Sequence, residues 1–392
     1  MAHPVVAVVG LGAYGAATAY QLARRGATVL GFDQFAPPHA FGSSTGETRI
    51  TRFAVLEGEE YVQAAIRSVE ILSELQERRE EHLFLRNGFT LIANDAADNA
   101  IVHGERGALR RTIALAQKFE IPHQIFERGA LAKIFPGFAV RGDETAYYEP
   151  GSGTLFPEAC IAAQLDEARS LGATLRTNER VLAIEPSGQG VEIRTGEGSY
   201  RADHIVVAAG AWVRQFIPEP MRAKFRITRQ VLYWFAHENP TAFSSSNHPN
   251  FIWPHLDQNG AGTFFYGFPC QANGDAVKIA TQSDDDIVTD PDRPSPPASE
   301  AEAQQMFAVH ALGRFTDITP RLRKSATCRY TNTPKAKALI AQHPDTPQVT
   351  IVSSCSGHGF KLSAAMGEAL AERALGQRPS RVDLDHFGWD AL

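Results

Sequence analysis

The chain opens on apolar runs broken by glycine. Val5-Val6-Ala7-Val8-Val9 is continuous and largely β-branched, as expected of a strand buried on both faces of a parallel sheet, and it stops at Gly10. Ala13 to Arg25 reads as a helix, with Gly26 suited to the C′ position, and Thr28 to Phe32 reads as a second strand ending at Asp33. This is a βαβ unit. A loop rich in Pro, Gly and Ser follows over 34–47. From Glu59, the residues Val62, Ile66, Val69 and Leu72 recur at helical spacing, and the charge-rich stretch Glu77 to Glu81 closes that helix.

Residues 83–149 read as short strands around one helix near Leu109 to Phe119. Pro157 begins another helix, with Ile161, Leu165 and Ala168 on one face and Gly172 after its end. Strand-like segments follow at Arg180 to Ile184, Val191 to Thr195 and Ile205 to Val207, the last running into Ala208-Ala209-Gly210. Thr228 to Phe235 and Thr263 to Phe268 predict a second sheet. Asp284 to Pro297 is an acidic, Pro-rich loop, and Ser299-x-x-Glu302 is a capping-box pattern opening a helix. Val349 to Ser353 predicts a strand, and Gly359 leads into a helix with Leu362, Met366 and Leu370 on one face. No repeat of solenoid period is present. The expected fold is mixed α/β: a Rossmann-like domain plus a domain built on an antiparallel or mixed sheet.

At 392 residues, about 150 residues per domain implies two or three domains. An apolar fraction of 43% and a charged fraction of 21% argue against a disordered chain. The net charge of −6 leaves no basic footprint for nucleic acid. Four cysteines without a CxxC pair are too few for a disulfide scaffold and suit a reducing compartment. Pro4 to Ala23 carries no charge and nearly matches a membrane span, but three glycines, Gln21 and two tyrosines interrupt it. Met1-Ala2-His3 lack the Lys or Arg of a signal-peptide start. A soluble, cytoplasmic protein is expected. The histidines lack metal-ligand spacing, so no metal site is expected.

Gly10-Leu11-Gly12-Ala13-Tyr14-Gly15 is a GxGxxG motif between a strand and a helix, with Asp33 at the end of the next strand. That context is what dinucleotide binding needs. Gly10 makes the tight turn, Gly12 admits a pyrophosphate to the helix N-terminus, and Gly15 lets helix and strand pack closely. Asp33 is placed to accept from ribose hydroxyls. An NAD-binding domain would normally complete its sheet early, whereas here the chain leaves after two strands. A second nucleotide-like segment, His204 to Trp212, comes only after residue 200. That split favours FAD, although 204–212 alone also suits an ordinary core strand. Gly42-Ser43-Ser44, just past Asp33, is suited to contact phosphate or flavin.

Three further motifs carry a resemblance: Gly42 to Arg52 (GSSTGETRITR), Cys328 to Pro334 (CRYTNTP) and Ser356 to Lys361 (SGHGFK). They resemble the monomeric sarcosine oxidase and N-methyltryptophan oxidase family, FAD-dependent amine oxidases of the D-amino-acid-oxidase-like group. The resemblance runs from Val5 to about Leu375 and is weakest across 83–145 and 215–260. It implies covalent attachment of the flavin through Cys328, for which a thiolate is required. The neighbours Arg323, Lys324 and Arg329 are expected to favour that thiolate, while Cys160 and Cys355 read as packing and Cys270 falls near the expected site. Arg52 and Lys361 match the pair that grips a substrate carboxylate. Arg49 matches a cation beside the flavin, Lys278 the lysine that activates dioxygen, and Tyr266 and His358 further active-site positions. Thr48 and Tyr330 match substrate-side positions. Val181, Gly210, Gly357 and Gly359 are implied to contact the cofactor, as is Lys361. Gln282 stands where the family commonly has a histidine, and a Gln side chain carries no proton at neutral pH.

The resemblance implies a monomeric oxidase of secondary amines such as N-methyl amino acids. Hydride transfer to the flavin would be followed by imine hydrolysis and reduction of O2 to hydrogen peroxide. A cyclic or glycated amino acid is an alternative substrate, a dehydrogenase using another acceptor a second class, and a non-catalytic nucleotide-binding module a third. Residues 1–85, 150–215 and 325–385 are expected to form the FAD-binding domain, and 86–149 and 216–324 the substrate domain.

Overall fold

The computed structural model describes residues 4–127, 129–270 and 274–392. Met1-Ala2-His3, read above for a leader, lie outside the described residues. Val5–Val9 is a strand pairing in parallel with Thr28–Asp33 on one side and His204–Val207 on the other. Between them, helix Ala13–Arg24 ends as its sequence requires. Arg25 is the C-cap, Gly26 takes a φ of +77°, and the Gly26 and Ala27 amides return to Ala23 and Leu22. The sheet grows by Thr174–Thr177 beyond Thr28–Asp33 and by Thr346–Ser353 and Leu339–His343 beyond His204–Val207. Only the last pair is antiparallel.

Strand alternation divides this sheet's two faces. Val6, Val8 and Val206 pack against helices Ala13–Arg24, Val62–Arg79, Pro157–Ser170 and Ser363–Ala374. Ala7, Val9, Ile205 and Val207 pack against a three-stranded antiparallel sheet of Val181–Ser187, Gly190–Thr195 and Ser199–Ala202. The N-terminal sequence therefore makes a three-layer unit, and distant segments complete it.

The second large sheet has eight strands, in the order Ile318–Asn332, Arg226–His237, Ala276–Ala280, Gly262–Phe268, Asn250–Leu256, Phe89–Ala93, Thr145–Glu149, Gln124–Phe126. Its pairs are antiparallel except Asn250–Leu256 with Phe89–Ala93. Sequence patterning places two of these strands, Thr228 to Phe235 and Thr263 to Phe268, slightly shorter than found. It does not find the fifteen-residue strand Ile318–Asn332, whose early positions Arg321, Arg323 and Lys324 break the apolar alternation. Alternation again separates two faces. Tyr233, Phe235, Phe265, Val277 and Ile279 join an aromatic core with Trp253 and Phe315. Leu232, Trp234, Ala280, Cys328 and Tyr330 form a cluster on the other face. The Ser299 capping box is formed, with the Ser299 side chain accepting from the Glu302 amide. Among the described residues no helix is long and apolar enough to cross a membrane.

Gly367, on helix Ser363–Ala374, lies where this helix crosses Ala13–Arg24. A Cβ there would stand 2.7 Å from the Ala17 carbonyl carbon and 2.8 Å from the Thr18 nitrogen. Helix propensity favours Gly→Ala by about 1 kcal/mol. Overpacking against backbone costs about 1–3 kcal/mol. The second effect dominates because backbone cannot move aside as a side chain can. Gly367→Ala is therefore expected to lower the thermal midpoint, read by circular dichroism; an unchanged or raised midpoint would show that the helices separate freely.

Candidate active site

One cavity runs from the GxGxxG turn to the inner face of the eight-stranded sheet, lined at one end by Gly10, Gly12 and Asp33 and at the other by Arg52, His103 and Lys361. The three glycines of the turn differ in their surroundings. Gly10 has φ +86°, and a Cβ there would lie 2.5 Å from the Ala208 oxygen. A Cβ on Gly15 would overlap the Gly10 carbonyl. A Cβ on Gly12 meets nothing within 4 Å, so this backbone is open to a ligand at the start of a helix. Asp33 accepts from the Leu11 and Phe35 amides at 2.8 and 2.9 Å, which fixes its carboxylate at the cavity wall. Gly42, Ser43, Ser44, Val181, Gly210, Gly357 and Gly359 also line the cavity. The glycine cradle and the fixed carboxylate fit a dinucleotide.

Arg49 is held by three carbonyls, those of Thr48, Ser43 and Thr45, at 2.7, 2.7 and 2.6 Å. Its strand, Arg49–Thr51, pairs with Gly153–Leu155. The turn beyond it is anchored by the buried Glu149 carboxylate, which accepts from the Phe53 and Ala54 amides and from the Tyr147 hydroxyl. Those contacts bring Arg52 and Glu57 together. Arg52 is fully buried, and its Nη2 lies 2.6 and 2.8 Å from the two Glu57 oxygens. Lys361 Nζ donates to the His358 carbonyl at 2.6 Å and stands 3.7 Å from Glu57. His103 Nδ1 lies 2.7 Å from Glu57 Oε1, and His358 Nδ1 lies 3.9 Å from it.

Two cations thus face one carboxylate in a buried cluster. Burial alone would push the Glu57 carboxyl up. Arg52, Lys361 and His358, with the His103 hydrogen bond, outweigh it and hold it well below the carboxylate range. Burial brings Lys361 down to about 7 despite Glu57, and His358 down to about 3. The cluster has an excess of positive charge that a ligand carboxylate would balance.

Lys278 lies in strand Ala276–Ala280, and its cross-strand neighbours are Trp234 and Phe268. Its Nζ sits 4.5 Å from the Phe268 ring centre and 5.4 Å from that of Trp234. It donates to the Gly46 and Thr48 carbonyls and to the Thr48 hydroxyl at 2.6, 3.1 and 3.0 Å. Burial, then the Arg49 charge, push its pKa well below the usual lysine value, while three acceptors engage the three protons of an ammonium. Lys278 stands behind the cavity wall that Thr48, Arg49 and Phe268 form. Tyr266 and Tyr330 line the cavity with their hydroxyls 3.2 Å apart; burial pushes the Tyr266 phenol up to about 12 and raises that of Tyr330 well above the usual tyrosine value. Gln282 donates to Asp284 at 3.0 Å, and among the described residues nothing hydrogen-bonds its buried Oε1.

Three expectations about cysteine are corrected. The basic neighbours of Cys328 do not face it. Arg329 is on the opposite side of the strand and donates to the Phe41, Pro291 and Arg293 carbonyls. Arg323 pairs with Asp275, and Lys324 with Glu47. Burial raises the Cys328 thiol, and the opposing cations are Arg49 and Lys278. Cys355, read as packing, lines the cavity and packs against the cluster containing Cys328. Cys270 belongs to the aromatic core instead. Glu57 and His103 were not singled out by sequence reasoning. The only local signal is His103-Gly104, with φ values of +49° and +82°, between Val102 and Glu105, which exchange both backbone hydrogen bonds. That is a two-residue primed turn.

Residues 6–373 match the sequence profile of the DAO family, described as FAD dependent oxidoreductase. The chain belongs to this family. Its relatives include monomeric sarcosine oxidase of Streptomyces avermitilis, 34% identical over 94% of this chain and 93% of that protein. N-methyl-L-tryptophan oxidase of Salmonella agona is 32% identical over 97% and 96%. Among solved structures, the open form of NikD, an unusual amino acid oxidase essential for nikkomycin biosynthesis, superposes with a TM-score of 0.80. That match covers 99% of this chain and 98% of NikD at 21% identity, which speaks for the fold.

The charge excess predicts a pH dependence of anion binding. A bound carboxylate favours charged Lys361, so the lysine's pKa is higher in the complex than its free value of about 7. Between those two values, binding takes up a proton. Acetate affinity, read from perturbation of the flavin spectrum, should be level below about pH 7 and fall above it by up to about tenfold per pH unit. Lys361→Met should weaken binding and flatten the profile. A level wild-type profile from pH 6 to 9 would remove Lys361 from the anion site.

Proposed function

We propose that the protein is an FAD-dependent oxidase of secondary amines bearing a carboxylate, with N-methyl amino acids as the substrate class. The observation that carries this reading is the buried excess of cation at Arg52 and Lys361, at the end of the cavity away from the dinucleotide cradle. The names of the two full-length relatives support it. Arg52 and Lys361 would bind the carboxylate and so set the direction of the amine within the cavity. Tyr266, Tyr330 and Phe268 supply a wall of rings beside it. Gly10, Gly12, Gly15, Asp33 and the 42–44 turn would hold FAD, with Val181, Gly210, Gly357 and Gly359 along its length. FAD supplies two-electron oxidation of the carbon next to nitrogen and the return of those electrons to O2. Water then hydrolyses the imine to an amine and a carbonyl compound, and the oxygen product is hydrogen peroxide. Lys278 would hold positive charge where an anion develops on dioxygen, with no reorganisation needed at that moment. The division into an FAD-binding part (1–85, 150–215, 325–385) and a substrate part (86–149, 216–324) draws support from the two large sheets. The dispersed cysteines suit a reducing, cytoplasmic compartment.

An anaerobic screen of N-methyl, cyclic and glycated amino acids, read as bleaching of the flavin band, tests the reading. Bleaching by an N-methyl amino acid is expected, and the absence of bleaching by any of them would overturn it. Arg52→Ala should cost about 1.5–3 kcal/mol of carboxylate binding, or ten- to hundredfold in affinity. Lys278→Met keeps most of the side-chain volume and removes the charge. Reoxidation, measured by mixing reduced enzyme with air-saturated buffer, should slow by about a hundredfold or more while reduction by substrate changes less.

Covalent attachment through Cys328 belongs to the same reading. Arg49 and Lys278 are the cations that oppose the rise of its thiol pKa. Acid-precipitated protein should stay yellow, and Cys328→Ser should release its FAD on precipitation. A colourless wild-type pellet would exclude the bond.

A further inference from the structure

Taking up an amino acid as a zwitterion creates a problem that the anion site does not solve. The nitrogen arrives as an ammonium, and its lone pair must be freed before the neighbouring carbon can be oxidised. A base must therefore face the cavity. Lys361 donates to a carbonyl and is committed to the carboxylate. Tyr266 and Tyr330 hold their phenolic protons. Lys278 stands behind the wall with its donors engaged. Gln282 takes no proton. His358 contacts the Ala336 carbonyl through Nε2 at 2.8 Å, and its Nδ1 is buried without a hydrogen-bond partner.

His103 is different. Its Nδ1 lies 2.7 Å from a carboxylate that stays ionised, so Nδ1 carries the hydrogen and Nε2 the lone pair. Among the described residues nothing hydrogen-bonds Nε2, and the ring lines the cavity. It reaches the same place as Gln282. A Cβ built on Gly357 would lie 3.4 Å from His103 Cδ2, the atom bonded to Nε2, and 3.0 Å from the unpartnered Gln282 Oε1. The same Cβ would lie 2.9 Å from the Tyr330 ring, so Gly357 packs tightly against this part of the wall. The imidazole therefore sits at the cavity wall with its Nε2 lone pair free, beside the cations that would hold the carboxylate.

We propose that His103 is the base that takes the proton from the substrate ammonium. The proton passes from nitrogen to Nε2, the electron pair of that N–H bond stays on nitrogen as the amine lone pair, and the imidazolium keeps its Nδ1 hydrogen on Glu57. The charged groups facing the ring are Glu57, Arg52 and Lys361, with His358 at 5.4 Å between ring centres and Tyr330 across Gly357. Burial lowers the imidazole pKa and Glu57 offsets part of that, leaving a base that is neutral before substrate arrives. The inference rests on the amine-oxidase reading.

His103→Asn tests it, because Asn accepts the left-handed conformation of the turn and takes no proton. The substrate is the N-methyl amino acid that bleaches wild-type flavin, and a wild type bleached by no amine refutes the oxidase reading itself. Given a bleaching substrate, the anaerobic reduction rate constant of His103→Asn at pH 7 should fall by about a hundredfold or more. The deficit should close as pH rises toward the amine's own pKa near 10, where solvent removes the proton. Acetate, which has no ammonium, should bind wild type and variant with Kd values within about twofold. A deficit equal at every pH, or no deficit, overturns the proposal. Loss of acetate binding also overturns it, since His103 would then serve the anion site.

Discussion

A buried carboxylate cannot stand alone, and the far end of the cavity is arranged around that constraint. Glu57 is shielded from water, so its charge must be met by protein. Arg52 meets it with Nη2, His103 with Nδ1, and Lys361 from 3.7 Å. These partners come from three separate parts of the chain: the 49–57 segment, the turn at 102–105, and the Gly359 junction before helix Ser363–Ala374. Glu57 therefore ties the substrate end of the site to both large sheets' surroundings. It also limits what the cations can do. Arg52 is not a free fork waiting for an anion; it reaches a ligand from a position already fixed by Glu57 and by the Ala54 carbonyl.

The cradle and the sheet wall obey different rules. At the cradle, close approach of backbone to backbone is the governing feature, and glycine is required where Ala208 and Gly10 leave no room for a Cβ. At the wall, period-two alternation is enough. Trp234, Phe268, Lys278, Cys328 and Tyr330 are brought onto one face by register between neighbouring strands, while the residues between them build an aromatic core. The core stiffens the sheet from behind, so the site-facing residues sit on a rigid element.

What the sequence discloses follows from the same distinction. The βαβ unit, the capping box at Ser299 and the cradle glycines are legible because each depends on residues close together in the chain. The strand Ile318–Asn332 is obscured because Arg321, Arg323 and Lys324 reach solvent and acidic partners, which hides the alternation that resumes at Ala326 and Cys328. The cation environment of Cys328 is misread for a related reason: proximity in sequence puts Arg329 beside it, but adjacent strand residues point to opposite faces. Arg49 and Lys278, distant in sequence, are the cations that affect it. Glu57 and His103 are illegible singly, being 46 residues apart, and acquire meaning only when the turn at 103–104 delivers the ring to the carboxylate.

The buried lysines show the cost of this arrangement. Lys278 and Lys361 are both at most 4% exposed, and burial lowers the pKa of each. Replacing such residues with apolar ones of similar size often leaves a protein as stable or more so. Lys361, with a pKa near 7, is poised so that a carboxylate completes its protonation. Lys278 has three acceptors and two ring faces around its Nζ, which oppose the effect of burial and of Arg49 on its charge. Lys361 shares its partners with Arg52 and His103 around Glu57, whereas Lys278 has three acceptors of its own, so the fold satisfies one ammonium more fully than the other.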